Sequence, residues 1–397
     1  MLRRAFTGIH PVVPRLAATH FAVDAYSNIY APLLPLLIPH LGMSLATAGA
    51  LTMVFQMAAS VSQLGFGHLA DRWRPRTLLV VGPIVSVAAL SLIGLASSTW
   101  TLAAILVAGG LGGAAFHPPA AALVHDVAGR RQGFSMSLHI TGGSIGFSLG
   151  PLLFAPVIER LGLAWSPVLA IPGLAWLALT LRSLPPIETR AHEHHDGGLR
   201  LLAPYAGVLA RLYAIVVLRT LAALSFATFI PVMLTRRGLT VSEAAAAVSG
   251  YLFASGIGGF LGGPLADRFG PRRVIAASLV CAVPFLVLAP VLHGWAFVLV
   301  LACGGLFLQS TLPVNVTFAQ QLAPVSAATV SSLMMGFAWG TGGLSVPLVG
   351  LLADRLDIAP TLMIMGAMPL AAAALALWLP ARAPQPRVVV AMPDAQA

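Results

Sequence analysis

Lysine does not occur in this chain. All 22 of its basic residues are arginine, acidic residues number 12, and only 9% of the 397 positions are charged. Without lysine there is no Gly-Lys-Ser/Thr phosphate loop, which excludes an ATP-driven pump built on that motif. With so little charge, a water-soluble domain of this length could not cover its surface. The two cysteines, Cys281 and Cys303, fall inside apolar runs and read as small core hydrophobes. They offer neither a disulfide framework nor zinc-ligand spacing. A Ser nucleophile elbow and a metal-hydrolase motif are also missing, so the chain does not read as an enzyme, and no cofactor is expected. The formal charge of +10 does not imply nucleic acid, because the arginines form no stripe with interleaved aromatics.

What the sequence has is apolar length. Hydrophobic residues make up 58% of it and its mean hydropathy is +0.90. Runs of about 20 apolar residues, enough to cross a bilayer as helix, recur with short polar breaks. They predict spans at 17–38, 47–69, 77–97, 101–123, 132–156 and 164–184, then at 212–234, 244–266, 274–292, 296–319, 328–350 and 358–380. Twelve crossings put both termini on one side. Seventeen arginines then fall in segments on that side and four (Arg160, Arg236, Arg237, Arg355) on the other, with Arg219 inside a span. By the positive-inside rule the termini are cytosolic. The expected location is a bacterial-type inner membrane, multi-pass, as a monomer. Residues 1–15 read as a cytosolic leader rather than a cleaved signal.

The polar stretch 185–202, with His192, His194 and His195, reads as a solvated linker. The expected organisation is a six-helix bundle at 1–185, a cytosolic linker at 186–205, a second six-helix bundle at 206–380, and a disordered cytosolic tail at 381–397. The halves repeat. Gly-His-Leu-Ala-Asp-Arg at 67–72 returns as Gly-Pro-Leu-Ala-Asp-Arg at 263–268, and Pro151 returns as Pro347, both at an offset of 196. Parallel repeats of this kind place a solute site between the halves near the bilayer midplane.

At these residues the chain resembles the major facilitator superfamily. The loop signature of that family stands here as Gly67, Asp71, Arg72, Trp73, Arg74, Pro75, Arg76, and again as Gly263, Asp267, Arg268, Phe269, Gly270, Pro271, Arg272, Arg273. The first copy has Arg74 where glycine is usual. The first half also resembles the fosmidomycin-resistance-type drug exporters, at His20-Phe21 with Asp24, Pro35-Leu36-Leu37, Phe116-His117-Pro118, Gly129 to Gly133, and Gly142-Gly143 leading to Leu149-Gly150-Pro151. That subgroup tends to carry Glu and Arg where this chain has Pro119 and Ala122. The resemblance implies an all-α fold of twelve transmembrane helices in two pseudo-symmetric bundles, and alternating-access transport.

Ionisable residues at membrane depth need a reason to be there. His20 and Asp24 are one helical turn apart, and Ser27 and Asn28 continue their polar face. They read as a proton or solute site, or else as structural hydrogen bonds between helices. Shifted by 196, Arg219 falls on Val23, so Asp24 and Arg219 lie at similar depth, about 6 Å from the midplane at about 1.5 Å per residue. An ion pair across the cavity follows, or an arginine that holds an anionic solute; snorkelling to the interface is the plainer option. His117 lies at nearly that depth, and His139 is a weaker candidate. Pro118-Pro119 should bend the fourth span. Gln309 and Asn315, like Gln56 and Gln63, suit interhelical hydrogen bonding near the cavity. Asp71, Arg72, Asp267 and Arg268, each copy led by its glycine, would form a cytosolic gate that favours the outward-facing state, as the family implies. Gly142, Gly146 and Gly150, followed by Pro151, form a stripe for close helix packing. In the family such a Gly-Pro motif is typical of exporters that exchange drug for protons. Gly336 and Gly340 continue the packing theme.

The reading that follows is a proton-coupled exporter of small drug-like or anionic molecules. Its alternative is an importer or facilitator of a small organic anion on the same fold. A membrane sensor is the rival of another class, and it would call for a long soluble signalling segment.

Overall fold

The structure is a computed structural model. It describes residues 9–72, 75–182, 184, 198–323, 330–331 and 333–381. Eleven helices among these are long and apolar enough to cross a bilayer, and Pro75–Ser91, of 17 residues, provides the remaining crossing. In chain order the spans are Val12–Leu41, Leu45–Ala70, Pro75–Ser91, Thr99–Val127, Gln132–Leu161, Leu163–Leu181, Leu202–Arg236, Val241–Phe269, Pro271–Val291, Gly294–Leu322, Leu333–Leu356 and Ile358–Ala376. Most extend past the sequence-predicted limits. Hydropathy detects only the stretch in hydrocarbon, whereas the helix continues until a cap or a breaker ends it. Ser98 and Thr240, for example, open their helices with reciprocal capping boxes.

Several local features depart from simple rods. The first span is broken into Val12–Ser27 and Tyr30–Leu41. Pro32 cannot donate to the carbonyl of Asn28, and its ring crowds that carbonyl, so the break falls there. By contrast, Thr99–Val127 runs unbroken through Pro118 and Pro119. Neighbouring helices hold the fourth span together despite the two lost N–H donors. Gly198–Tyr205, expected within a loop-like linker, is a 3-10 helix leading into the seventh span. The rest of the expected linker, and all but Ala381 of the expected tail, lie outside the described residues. Single π-helical turns interrupt the second span at Met57–Val61 and the eleventh at Leu333–Phe337.

Packing falls into two groups of six. In the first half the first span lies along the fifth, and the third along the fourth; in the second half the ninth lies along the twelfth and the eighth along the tenth. The halves meet where the second span touches the eleventh and the fifth touches the eighth. The outside is apolar: Phe260, Leu348 and Ile171 are largely exposed, as expected of a surface solvated by lipid. Trp100 and Trp295 stand at the starts of the fourth and tenth spans, 84% and 88% exposed, at matching levels for an interfacial belt.

The glycine stripe fits the first span along its length. A Cβ at Gly142, Gly146 or Gly150 would lie 2.2, 2.1 or 2.4 Å from the carbonyl oxygens of Ala17, Phe21 and Ala25. The backbones are therefore in direct contact at three successive turns, which brings the first span's polar face against the fifth.

Candidate functional site

That contact builds a cluster of four ionisable residues in the first half. His20 Nε2 lies 3.2 Å from Asp24 Oδ2, and His117 Nε2 lies 3.6 Å from Asp24 Oδ1. His20 Nδ1 lies 2.9 Å from the backbone carbonyl of His139, and the two rings lie 4.4 Å apart. His139 is buried, with no hydrogen-bond partner at Nδ1 among the described residues. The side chains of Asp24 and His117 keep 20% and 26% of their surface, so the cluster opens on one side.

Hydrogen-bond logic sets the proton count here. A carbonyl only accepts, so His20 Nδ1 carries a hydrogen. If the ring were neutral, Nε2 would present a bare lone pair to a carboxylate. The 3.2 Å contact becomes attractive when one further proton resides there, on the imidazole or on the carboxyl. The three facing ligand atoms of His20, Asp24 and His117 lie within 4.8 Å of one another.

The seat for this cluster is Gly143. A Cβ at that position would lie 2.4 Å from His20 Nε2 and 2.6 Å from Asp24 Oδ2. Asn28 does not join the group: it is buried and donates to the carbonyl of Phe147 at 2.8 Å, which ties the first span to the fifth.

In the second half Arg219 is fully buried. It donates from Nη1 to Gln309 Oε1 at 2.5 Å and from Nη2 to Thr220 Oγ1 at 3.0 Å, while Nε has no partner among the described residues. Its guanidinium lies 5.4 Å from the Trp339 ring centroid, a cation–π arrangement. Asn315 is buried with neither amide atom bonded. The expected pairing of Asp24 with Arg219 does not form: Asp24 turns to the two histidines and Arg219 to Gln309. Similar depth on equivalent helices sets the level of two side chains, but not the direction in which each points.

Residues 16–240 and 212–396 match the sequence model of the Major Facilitator Superfamily. The chain belongs to that superfamily. It is thus a membrane transporter rather than an enzyme. It is 29% identical to the fosmidomycin resistance protein of Escherichia coli (strain K12) over 376 residues, 90% of each chain. It is 28% identical over 384 residues to an uncharacterized MFS-type transporter, YfnC, of Bacillus subtilis (strain 168), 91% of each chain. In fold it is similar to a bacterial homolog of the human lysosomal transporter Spinster, solved inward-facing and occupied. The TM-score is 0.77 at 16% identity, covering 92% of this chain and 95% of that one.

Of the superfamily's loop signature, the side chains of Asp71 and Arg72 lie outside the described residues. In the second copy Asp267 and Arg268 are exposed; Arg268 lies over the Phe269 ring at 5.2 Å, and Asp267 has no hydrogen-bond or ion-pair partner among the described residues. A Cβ on Gly67 would make an ordinary 3.7 Å contact with Pro118, and Gly263 has open space around it. Gly336 and Gly340 face the second span across the halves, near Ser60 and Val61.

Two residues at the site escaped sequence reasoning. Gly143 was visible only within the Gly142-Gly143 stretch of the resemblance, with no role of its own, and Trp339 only as an apolar residue in a span. The 196-residue offset was the available signal, since it places Trp339 opposite Gly143.

Proposed function

We propose that this transporter is a proton-coupled exporter of small drug-like or anionic molecules, resident as a monomer in a bacterial inner membrane with both termini in the cytosol. The observation that carries the reading is the His20–Asp24–His117 cluster, a partly open group at membrane depth whose geometry calls for one bound proton. Proton arrival and departure would change the charge facing the cavity, and so bias the two access states differently. The second half supplies the complement. Arg219, with no carboxylate partner among the described residues and its guanidinium beside the Trp339 ring, suits the anionic group of a solute. The name of the Escherichia coli relative supports export of a drug.

Everted vesicles test the reading. A proton gradient should drive accumulation of a substrate drawn from a panel of anionic and drug-like compounds, and substrate should in turn collapse the gradient. Asp24→Asn should abolish both while leaving protein in the membrane. Gradient-driven flux that is unchanged in Asp24→Asn would overturn the assignment. Uptake into whole cells without any resistance phenotype would reverse the direction.

A further inference from the structure

At the end of the bundle where the first span finishes and the second begins, two carboxylates cross from one half to the other. Glu159, near the end of the fifth span, accepts from the backbone N–H of Val241 at 2.7 Å and of Ser242 at 3.1 Å, and from the Ser242 hydroxyl. Asp354, near the end of the eleventh span, accepts from the N–H of Leu45 at 3.0 Å and of Ala46 at 2.9 Å. Leu45 and Ala46 begin the second span, and Val241 and Ser242 begin the eighth. The two pairs of amides differ by the repeat offset of 196, and the two carboxylates by 195.

The arrangement is thus one device used twice. Each half sends a carboxylate to the first turn of the other half's second helix, where the amides have no partner within the helix. A negative charge there also meets the positive end of the helix dipole. The same face is sealed by backbone contact. A Cβ at Gly350 would lie 2.2 Å from the Leu45 carbonyl oxygen, and one at Gly49 would lie 2.5 Å from that of Val346. Ala155, Val241 and Ala245 close the apolar layer beside Glu159. At this end the two halves are thus joined by both carboxylates and by close backbone contact.

We infer that Glu159 and Asp354 are a matched pair of latches that hold the far end of the transporter closed and set how readily it opens. They complement the loop signature at the other end, where Asp267 has no hydrogen-bond or ion-pair partner among the described residues. Because hydrogen bonds to charged groups are the strong ones, losing either latch should raise the ratio of far-end-open to far-end-closed molecules about tenfold. Losing both should raise it about a hundredfold, since the two sites are separate.

The test is a distance measurement on the full chain in lipid nanodiscs, independent of any solute or ion. Cys281 and Cys303 are replaced by serine, and spin labels are placed at His40→Cys and Leu239→Cys, one on each half at the far end. Glu159→Gln, Asp354→Asn and the double variant should each move population to a longer inter-label distance, the double variant most. Glu159→Asp keeps the charge on a shorter arm and should give a smaller shift; it also serves as the readout should the double variant not fold. Glu243→Gln is the control, because Glu243 caps Thr240 within its own helix and does not cross the halves. The inference is overturned if folded variants keep the parent distance distribution, or if Glu243→Gln shifts it as far as they do.

Discussion

At position 143 the first half has glycine, and at the corresponding position 339 the second has tryptophan. The glycine leaves room that His20 and Asp24 fill; the tryptophan covers Arg219. The other polar residues differ in the same sense. His20, Asp24 and His117 correspond to Val216, Thr220 and Pro313, while Arg219 and Gln309 correspond to Val23 and Gly113. One helical template therefore carries an acidic, histidine-rich pocket on one side and a buried, aromatic-faced cation on the other. A duplicated fold need not keep its packing positions: Gly142, Gly146 and Gly150 correspond to Ala338, Gly342 and Val346. Its cavity-lining positions are free to diverge, and this is where the two halves have taken different tasks.

Six substitutions probe that division. Asp24→Asn should have the largest effect, reducing proton-driven flux in everted vesicles to background; His117→Ala should follow it more closely than any change at Arg219. Gly143→Ala is next. Its methyl must displace His20 and Asp24, so most proton-driven flux should be lost while expression and thermal stability hold. If Gly143→Ala transports normally, the pocket does not depend on its fitted geometry. On the other side, Arg219→Lys keeps the charge but loses the planar fork, and should raise KM for an anionic substrate about tenfold with little change in kcat. Trp339→Ala should weaken the same substrate severalfold, because the buried guanidinium loses the ring that faces it. A Trp339 variant that alters the pH profile instead of KM would erase the contrast between the halves. Asn28→Ala should have the smallest effect, costing about 1 kcal/mol for one interhelical hydrogen bond. Thermal unfolding in detergent would read it, with the pH profile of transport unchanged.

Much of the architecture was legible in the sequence. Apolar length gave the crossings, the 196-residue echo gave the duplication, and the glycine stripe at 142, 146 and 150 marked a close helix contact. The spacing of His20 and Asp24 also placed them on one face, because a helix fixes neighbours one turn apart. The sequence did not disclose that His117 and His139 come to that face from other helices, or that Arg219 turns away from Asp24. Those depend on rotations of helices about their own axes, which packing sets. The break at Asn28 and the unbroken run through Pro118-Pro119 show the same limit. Proline removes a donor in both places, and only the neighbouring helices decide whether the chain breaks or continues. The π-helical turns at Met57–Val61 and Leu333–Phe337 had no sequence signal.

By itself, then, the sequence determined the solvent, the number of crossings, the repeat and which polar residues lie within spans, because hydrophobic length and period are properties of a segment alone. Tertiary structure decided the partners: which histidines share Asp24, what covers Arg219, and that Glu159 and Asp354 grip helices of the opposite half. Partners are set by azimuth and by the approach of separate backbones, and neither is written in any one segment.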